Sequence, residues 1–408
     1  MTLSCRFCGH PLTHLFADLG MCPLSNAYVR AEDLRGPERF YPLVAYVCEE
    51  CLLVQVQEVE TRENIFGDYA YFASYSDSWL AHARAYCEQM RQRLGLGARS
   101  QVIEIASNDG YLLQYFREMG IPALGIEPAA NVAAVAQQKG IETLVTFFGV
   151  EAARELAAAG RRADLLLGNN VLAHVPDIND FVGGMPLVLA PRGTITMEFP
   201  HLMRLMQETQ FDTIYHEHFS YLSLLVVQRI FARHGMAIVD VDELPTHGGS
   251  LRIYAQHAAA AQSSPRVAAL LDRERAFGLD RLEAYTRFAD QVRQTKRALL
   301  EFLVRAKSEG KSIVGYGAPA KGNTLLNYCG VRTDFLDYTV DRSPHKQGLF
   351  LPGTRIPIRA PEAIAETRPD YVLILPWNLR DEIVEQMAHV RSWGGRFVVP
   401  IPRVEIID

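Results

Sequence analysis

A chain of 408 residues has room for two or three domains, each long enough to bury a core. Hydrophobic residues make up 49% and charged residues 22%, and a net charge of −6 with a pI near 6.1 excludes the global basic field that holds nucleic acid. No run approaches the ~20 apolar residues of a membrane helix, and "TLSCRFCGH" after Met1 lacks the charged and apolar regions of a secretory signal. A cytoplasmic chain with no membrane or nucleic-acid partner is therefore expected, as a monomer or a homodimer.

The first element in chain order is a pair of cysteine knuckles. Cys5 and Cys8 in "CRFCGH", with Cys48 and Cys51 in "YVCEEC", have the spacing at which thiolate pairs share one tetrahedral zinc ion. Four protein ligands leave no open position, so the expected role is structural. Seven cysteines are an odd number for a disulfide framework and suit reduced thiols. Cys22 and His10 are alternative ligands that the four cysteines make unnecessary. The following "GDYAYFASYSDSWL" places Tyr69, Tyr71 and Tyr75 either on an active-site lid or on an aromatic helix face packed against the core.

From about residue 100, short apolar segments alternate with helix-length intervals: "QVIEIASNDG", "ALGIEP", "ETLVTF", "ADLLLGNN" and "TITMEFP". Alternation of this kind predicts a parallel sheet covered by helices, with ligands bound beyond the carboxyl ends of its strands. Gly110 lets backbone approach a cofactor, and Glu127, ending the second strand, is suited to accept two ribose hydroxyls. A dinucleotide fold also carries an acid there, but "ASNDG" lacks the glycines of GxGxxG.

After the fifth strand comes "YHEHFSYLS", Tyr215 to Ser223. Histidines two apart point to opposite sides of a helix, which argues against a helical zinc site, although on an extended segment they share a side. The chain continues with a helix capped by Ser223 and stopped by Gly235, and with strands in "AIVDVDE" and "SLRIYA". Residues 266 to 309 have helical periodicity. "KSIVGYGAPAKGNTLLNY" then opens a second strand, turn and helix unit, in which Gly315, Gly317 and Gly322 offer backbone N–H groups to a pyrophosphate and Lys321 adds charge. Lys346 and His345 are further phosphate partners.

A polar first loop and an acid ending the second strand resemble the class I S-adenosylmethionine-dependent methyltransferases. With the cysteine pairs, "GNNVLAHVPD", "YHEHFSYLS", "HGGSLRIY" and "GYGAPAKGNTLLNY" in order, the chain resembles the nucleotide-sugar C-methyltransferases that add a branch methyl to 4-keto-deoxysugars. The resemblance implies an α/β protein of a zinc-binding domain at 1–65 and a Rossmann-like seven-stranded methyltransferase domain at 66–260. A helical connection at 261–310 and a C-terminal Rossmann-like domain for the nucleotide sugar at 311–408 complete it. It implies S-adenosylmethionine and structural zinc as cofactors, and a nucleotide-diphosphate 4-keto-deoxysugar as partner.

The cofactor is expected on Glu104, Asn108, Asp109, Gly110, Glu127, Asn169 and Asn170. Methylating C3 beside a C4 ketone needs a base, and the resemblance gives that role to His218. Glu217 would tune a neighbour, while Tyr215, His216 and His174 would polarise the carbonyl oxygen or bind sugar hydroxyls. The sugar or diphosphate is expected on Lys321, Asn323, Ser250, Arg252 and one of Tyr69 and Tyr71. O- or N-methylation of a sugar or small metabolite, or a non-catalytic zinc-bearing binding protein, are the alternatives.

Overall fold

The computed structural model describes residues 3–61, 63–64, 73–75 and 77–408. At the N-terminus β1 (His14–Cys22), β2 (Tyr41–Val47) and β3 (Val54–Val56) form an antiparallel sheet. The period of two is plain in β2, where Leu43, Ala45 and Val47 are buried and the residues between are partly exposed.

The central sheet follows with β4 (Val102–Ile105), β5 (Ala123–Ile126), β6 (Glu142–Leu144), β7 (Ala163–Asn169) and β8 (Leu189–Pro200). The short β9 (Ser220–Tyr221) leaves this sheet and pairs with β3, Val54 opposite Tyr221 and Gln55 opposite Ser220. β10 (Met236–Leu244) and β11 (Ser250–His257) complete the central order β10-β11-β8-β7-β4-β5-β6, in which only β11 runs antiparallel. Every residue of β4 is buried, as a strand covered on both faces requires. Strand order reverses beside β4, so a crevice opens at the carboxyl ends of β4, β5 and β7. The helix Leu224–Arg233 begins at Ser223, whose hydroxyl accepts the Val226 N–H, and stops at Gly235 in the left-handed region.

Helices Pro265–Phe277, Leu282–Thr286 and Phe288–Ser308 lead to a third sheet. It contains β12 (Ile313–Tyr316), β13 (Thr339–Val340), β14 (Ile358–Arg359), β15 (Tyr371–Ile374), β16 (Arg396–Val399) and β17 (Glu405–Ile407). Their order is β14-β13-β12-β15-β16-β17, parallel but for β17.

The N-terminal chain straps both other parts. Phe16 of β1 is fully buried and stacks on Phe288 at 4.5 Å, beside Tyr285. Tyr28 donates its hydroxyl to the Ala318 carbonyl at 2.6 Å, and Asn323 donates to Ser25 O at 2.6 Å. Phe16→Ala should cost about 3–5 kcal/mol, because the stacked site cannot collapse around the smaller side chain. Denaturant unfolding of the variant should show that loss as an earlier midpoint.

Candidate active site

The four cysteine Sγ atoms lie within 4.8 Å of one another, with Cys5 to Cys51 and Cys8 to Cys48 each at 3.5 Å. Each knuckle closes the same way. Gly9 N–H donates to Cys5 O and Leu52 N–H to Cys48 O, and Gly9 and Leu52 both turn through positive φ. Four converging thiols fit a zinc ion, which takes thiolate sulfur in tetrahedral geometry. Cys22 and His10 stay outside the cluster, Cys22 on Leu19 O and His10 on Glu49.

The knuckle is also a prop for what lies behind it. Arg6 donates to Pro176 O and Val56 O, while Asn179 donates its amide to the carbonyls of Arg6 and Phe7. Pro176 lines a cavity behind it.

That cavity, of about 390 Å³, sits at the carboxyl ends of the central strands, and residues from all three sheets' domains line it. On one wall Glu127 accepts the N–H groups of Asn108 and Ala129, each at 2.9 Å, and burial raises its pKa. Asn108 Oδ1 accepts Ala73 N–H. Asn169 and Asn170 line the same wall, and Asn170 Oδ1 has no hydrogen-bond partner among the described residues. Ala106, Asn108, Asn170 and His247, all on the cavity, have φ between 49° and 56°. Left-handed residues other than glycine hold their shape only where the surroundings enforce it, and they gather at functional sites. An acid at the second strand's end, an unpaired amide oxygen and the apolar faces of Phe147 and Phe148 fit a nucleoside carrying an amino-acid tail.

Three residues expected on the cofactor lie behind this wall. Glu104 is fully buried, and its carboxyl is pushed well up by burial and by the charges of Glu127 and Asp109. Asp109 pairs with Lys139 at 3.2 Å. Gly110 is required by packing, since a Cβ there would stand 2.3 Å from Ile141 Cδ1.

The Tyr215–His218 segment forms the opposite wall. His218 Nδ1 meets the Thr213 carbonyl at 2.9 Å, and a carbonyl only accepts, so Nδ1 carries the hydrogen. Nε2 is then the basic nitrogen and accepts the Tyr215 hydroxyl at 2.7 Å. His174 stands edge-on to the ring at 4.6 Å. Burial, with His174, His247 and Lys321 nearby, holds the His218 imidazole well below its usual pKa, which leaves it neutral. Burial likewise brings His174 to about 4. Glu217 accepts the Asn26 amide at 2.7 Å, yet burial still raises its carboxyl to about 7.

His216 is the exception in the motif. A turn, His218 N–H to Tyr215 O, breaks any extended run, and His216 faces away to donate to Pro42 O beside the Tyr41 ring. It does not line the cavity.

From the C-terminal domain, Lys321 and Lys346 reach the cavity. Lys321 Nζ donates to Asn378 Oδ1 at 2.8 Å and Lys346 Nζ to Ala318 O at 2.9 Å. The remaining expectations are corrected. Asn323 is buried against Ser25 O, Ser250 donates to Thr246 O, and Arg252 is buried on Glu198 at 2.7 Å, which takes all three off the cavity. His345 is also off it. Gly315 and Gly317 spend their N–H groups on Tyr338 O and Val340 O, and Gly322 is packed 3.0 Å, measured from a built Cβ, against Leu375. Gly315 and Gly317 therefore have no N–H left for an anion. Tyr69 and Tyr71 lie outside the described residues, as does the Tyr75 side chain.

Asn26, Trp79, Thr213 and His247 line the cavity without having been expected there. His247 is signalled by its place before the paired glycines of "HGG"; the other three carry no local signal.

A seven-stranded sheet of this order, with its acid at the end of the second strand over the cavity, defines a class I methyltransferase domain. Family models agree along the chain: "Putative zinc binding domain" at residues 5–66, "Methyltransferase domain" at 79–241 and "C-methyltransferase C-terminal domain" at 245–402. The C-methyltransferase NovU of Streptomyces niveus is 38% identical over 405 residues, covering 99% of this chain and 96% of that protein. The chain belongs to this family of S-adenosylmethionine-dependent C-methyltransferases with an N-terminal zinc-binding domain. Among solved structures, magnesium protoporphyrin IX methyltransferase from Synechocystis PCC 6803 with bound S-adenosylmethionine is 15% identical, covering 47% of this chain and 88% of that one at a TM-score of 0.33. An S-adenosylmethionine-dependent methyltransferase from Clostridium acetobutylicum is 7% identical, covering 45% and 92% at 0.35. No helix among the described residues is long and apolar enough to cross a membrane.

Two outcomes are expected. Cys48→Ser should empty the zinc site, read as loss of bound zinc by elemental analysis together with a lower Tm, because a structural ion's binding energy is folding energy. Glu217→Gln should gain stability over wild type at pH 8 and not at pH 4. A carboxyl raised from 4.5 to about 7 in the fold destabilises it increasingly as pH climbs through that window. The full effect is roughly 3 kcal/mol at ~1.4 kcal/mol per pKa unit, measured as the pH dependence of the difference in unfolding free energy.

Proposed function

We propose that the chain methylates C3 of a nucleotide-linked 4-keto-deoxysugar through an enolate formed when His218 takes the C3 proton. The observation that carries this reading is the neutral His218 on the cavity, its Nδ1–H held by Thr213 O and its basic Nε2 on the hydroxyl of Tyr215, which lines the same cavity. Carbon methylation needs such a base, because no lone pair is available on the accepting atom until the proton has left.

The residues take the following parts. Glu127, Asn108, Asn169 and Asn170 hold S-adenosylmethionine, which when bound supplies an electrophilic methyl group. His218 Nε2 receives the C3 proton. The Tyr215 hydroxyl, which donates to Nε2 in the absence of substrate, turns its hydrogen to the C4 oxygen as negative charge grows there. His174 and Glu217 border the same space, and a Glu217 carboxyl with a pKa of about 7 is partly protonated at neutral pH and so able to donate. Lys321 and Lys346, facing from the C-terminal domain, offer two positive charges to a diphosphate. Four cysteines suited to hold zinc as thiolates fit a reducing compartment, which supports a cytoplasmic enzyme.

A panel of nucleotide 4-keto-deoxysugars incubated with labelled S-adenosylmethionine, read by mass and NMR, tests the substrate and the position. A product methylated on oxygen or nitrogen would overturn the carbon reading. Without cofactor, the enzyme in D₂O should exchange the C3 proton of the accepted sugar. His218→Asn should lower that exchange by ~10²–10⁴-fold while calorimetry still registers S-adenosylmethionine binding. Exchange at the wild-type rate in that variant would remove His218 from the role of base.

A further inference from the structure

The carbonyl that orients His218 belongs to Thr213, and the turn Phe211–Thr213 that presents it is gripped from the C-terminal domain. Trp377 follows β15, after Leu375 and Pro376, and is buried. Its indole Nε1–H donates to Asp212 Oδ2 at 2.7 Å. Asp212 is fully buried and its Oδ1 has no side-chain hydrogen-bond partner among the described residues, so the indole N–H, with the charge of Lys321 beside it, stabilises that carboxyl.

The same ring touches two further parts of the cavity. A Cβ on Gly248 would stand 2.6 Å from Trp377 Cη2, so the ring lies flush against the glycine that follows His247. Lys321 Nζ lies 4.6 Å from the ring centroid, at cation–π distance. One side chain thus bears on the turn that aims His218, on the turn that carries His247, and on a lysine that faces the proposed diphosphate. Tyr328 reinforces the grip by packing edge-on to Phe211 at 5.3 Å.

We propose that Trp377 is a positioning residue for proton abstraction: by holding Asp212 it fixes the Thr213 carbonyl, and with it the tautomer and aim of His218, only when the C-terminal domain is seated on the methyltransferase domain. This rests on the His218 reading above. Trp377 does not line the cavity and acts on the base through the Phe211–Thr213 turn. Its link to Lys321 makes seating of the sugar-holding domain and readiness of the base one event.

Trp377→Phe removes the N–H donor together with the outer ring atoms, Cζ3 and Cη2, that abut Gly248, so the Asp212 variants isolate the hydrogen bond itself. In that variant the rate of C3 proton exchange should fall about tenfold, with KM for the ketosugar and S-adenosylmethionine affinity within ~3-fold of wild type. Asp212→Asn retains an acceptor for the indole and should lose far less than Asp212→Leu. The Trp377→Phe, Asp212→Leu double variant should be no slower than the slower single one, because both break the same link. In ¹⁵N-histidine spectra, with the signal assigned through His218→Asn, His218 should be a single Nδ1–H tautomer in wild type and a mixture in Trp377→Phe. Wild-type exchange with an unchanged histidine signal in Trp377→Phe, or additive losses in the double variant, would overturn the proposal. If wild type exchanges no ketosugar proton, the substrate reading fails, and the histidine spectra still decide the role of Trp377.

Discussion

Polar groups taken out of water must find partners, and in the segment Asp212–His218 no single domain supplies them all. Asn26 of the N-terminal part meets Glu217, the Pro42 carbonyl meets His216, and Trp377 of the C-terminal part meets Asp212. The methyltransferase domain itself contributes the Thr213 carbonyl to His218. Remove either neighbouring body and a buried carboxyl or imidazole is left without its bond, at a cost of ~1–3 kcal/mol each. The three-part architecture is thus a condition of the site, since the segment that walls the cavity is set by contacts from both neighbours.

The cofactor side obeys a second constraint. In "ASNDG" the positions where glycine commonly stands are filled by Ala106 and Asn108, and both adopt the left-handed conformation that glycine would take without strain. The surroundings hold them there: the Asn108 N–H is bound by Glu127 and its side chain by the Ala73 N–H. Side chains in place of hydrogens give the loop an amide with which to fasten the segment leading into the first long helix. Strain at Asn170 and His247 is bound in a comparable way, through the 2.9 Å bond between their side chains.

Much of this was legible in the sequence where the signal is local. Cysteine spacing predicts the thiol cluster, and the alternation from residue 100 predicts the sheet and the position of Glu127. The helix cap at Ser223 and the stop at Gly235 are readable for the same reason, since each depends on a few neighbouring residues. What stayed hidden depends on partners far along the chain. "SLRIYA" reads equally as a strand facing ligand or facing core, and only the partner Glu198, 54 residues earlier, decides that Arg252 is structural. His216 and His218 look equivalent at two-residue spacing until the turn at Tyr215 separates them. The glycines of "GYGAPAKG" read as an anion loop, yet the close approach they permit is to Pro376, Thr339 and Leu375. Asp212 and Trp377 carry no motif at all.

β9 has a consequence for how the protein is made. The N-terminal sheet is finished by Ser220 and Tyr221, which leave the ribosome more than 160 residues after β3, the strand they must pair with. Until then β3 has an open edge and an apolar strand with nothing to cover it, a state prone to pairing with the wrong chain. Metal capture by the cysteines needs only the first ~51 residues and precedes that closure. The nascent chain therefore passes through a long interval in which the zinc knuckles can be loaded while the sheet behind them is incomplete. The Tyr215–His218 segment lies immediately before β9, so its place in the chain ties it to the strand that closes the N-terminal sheet.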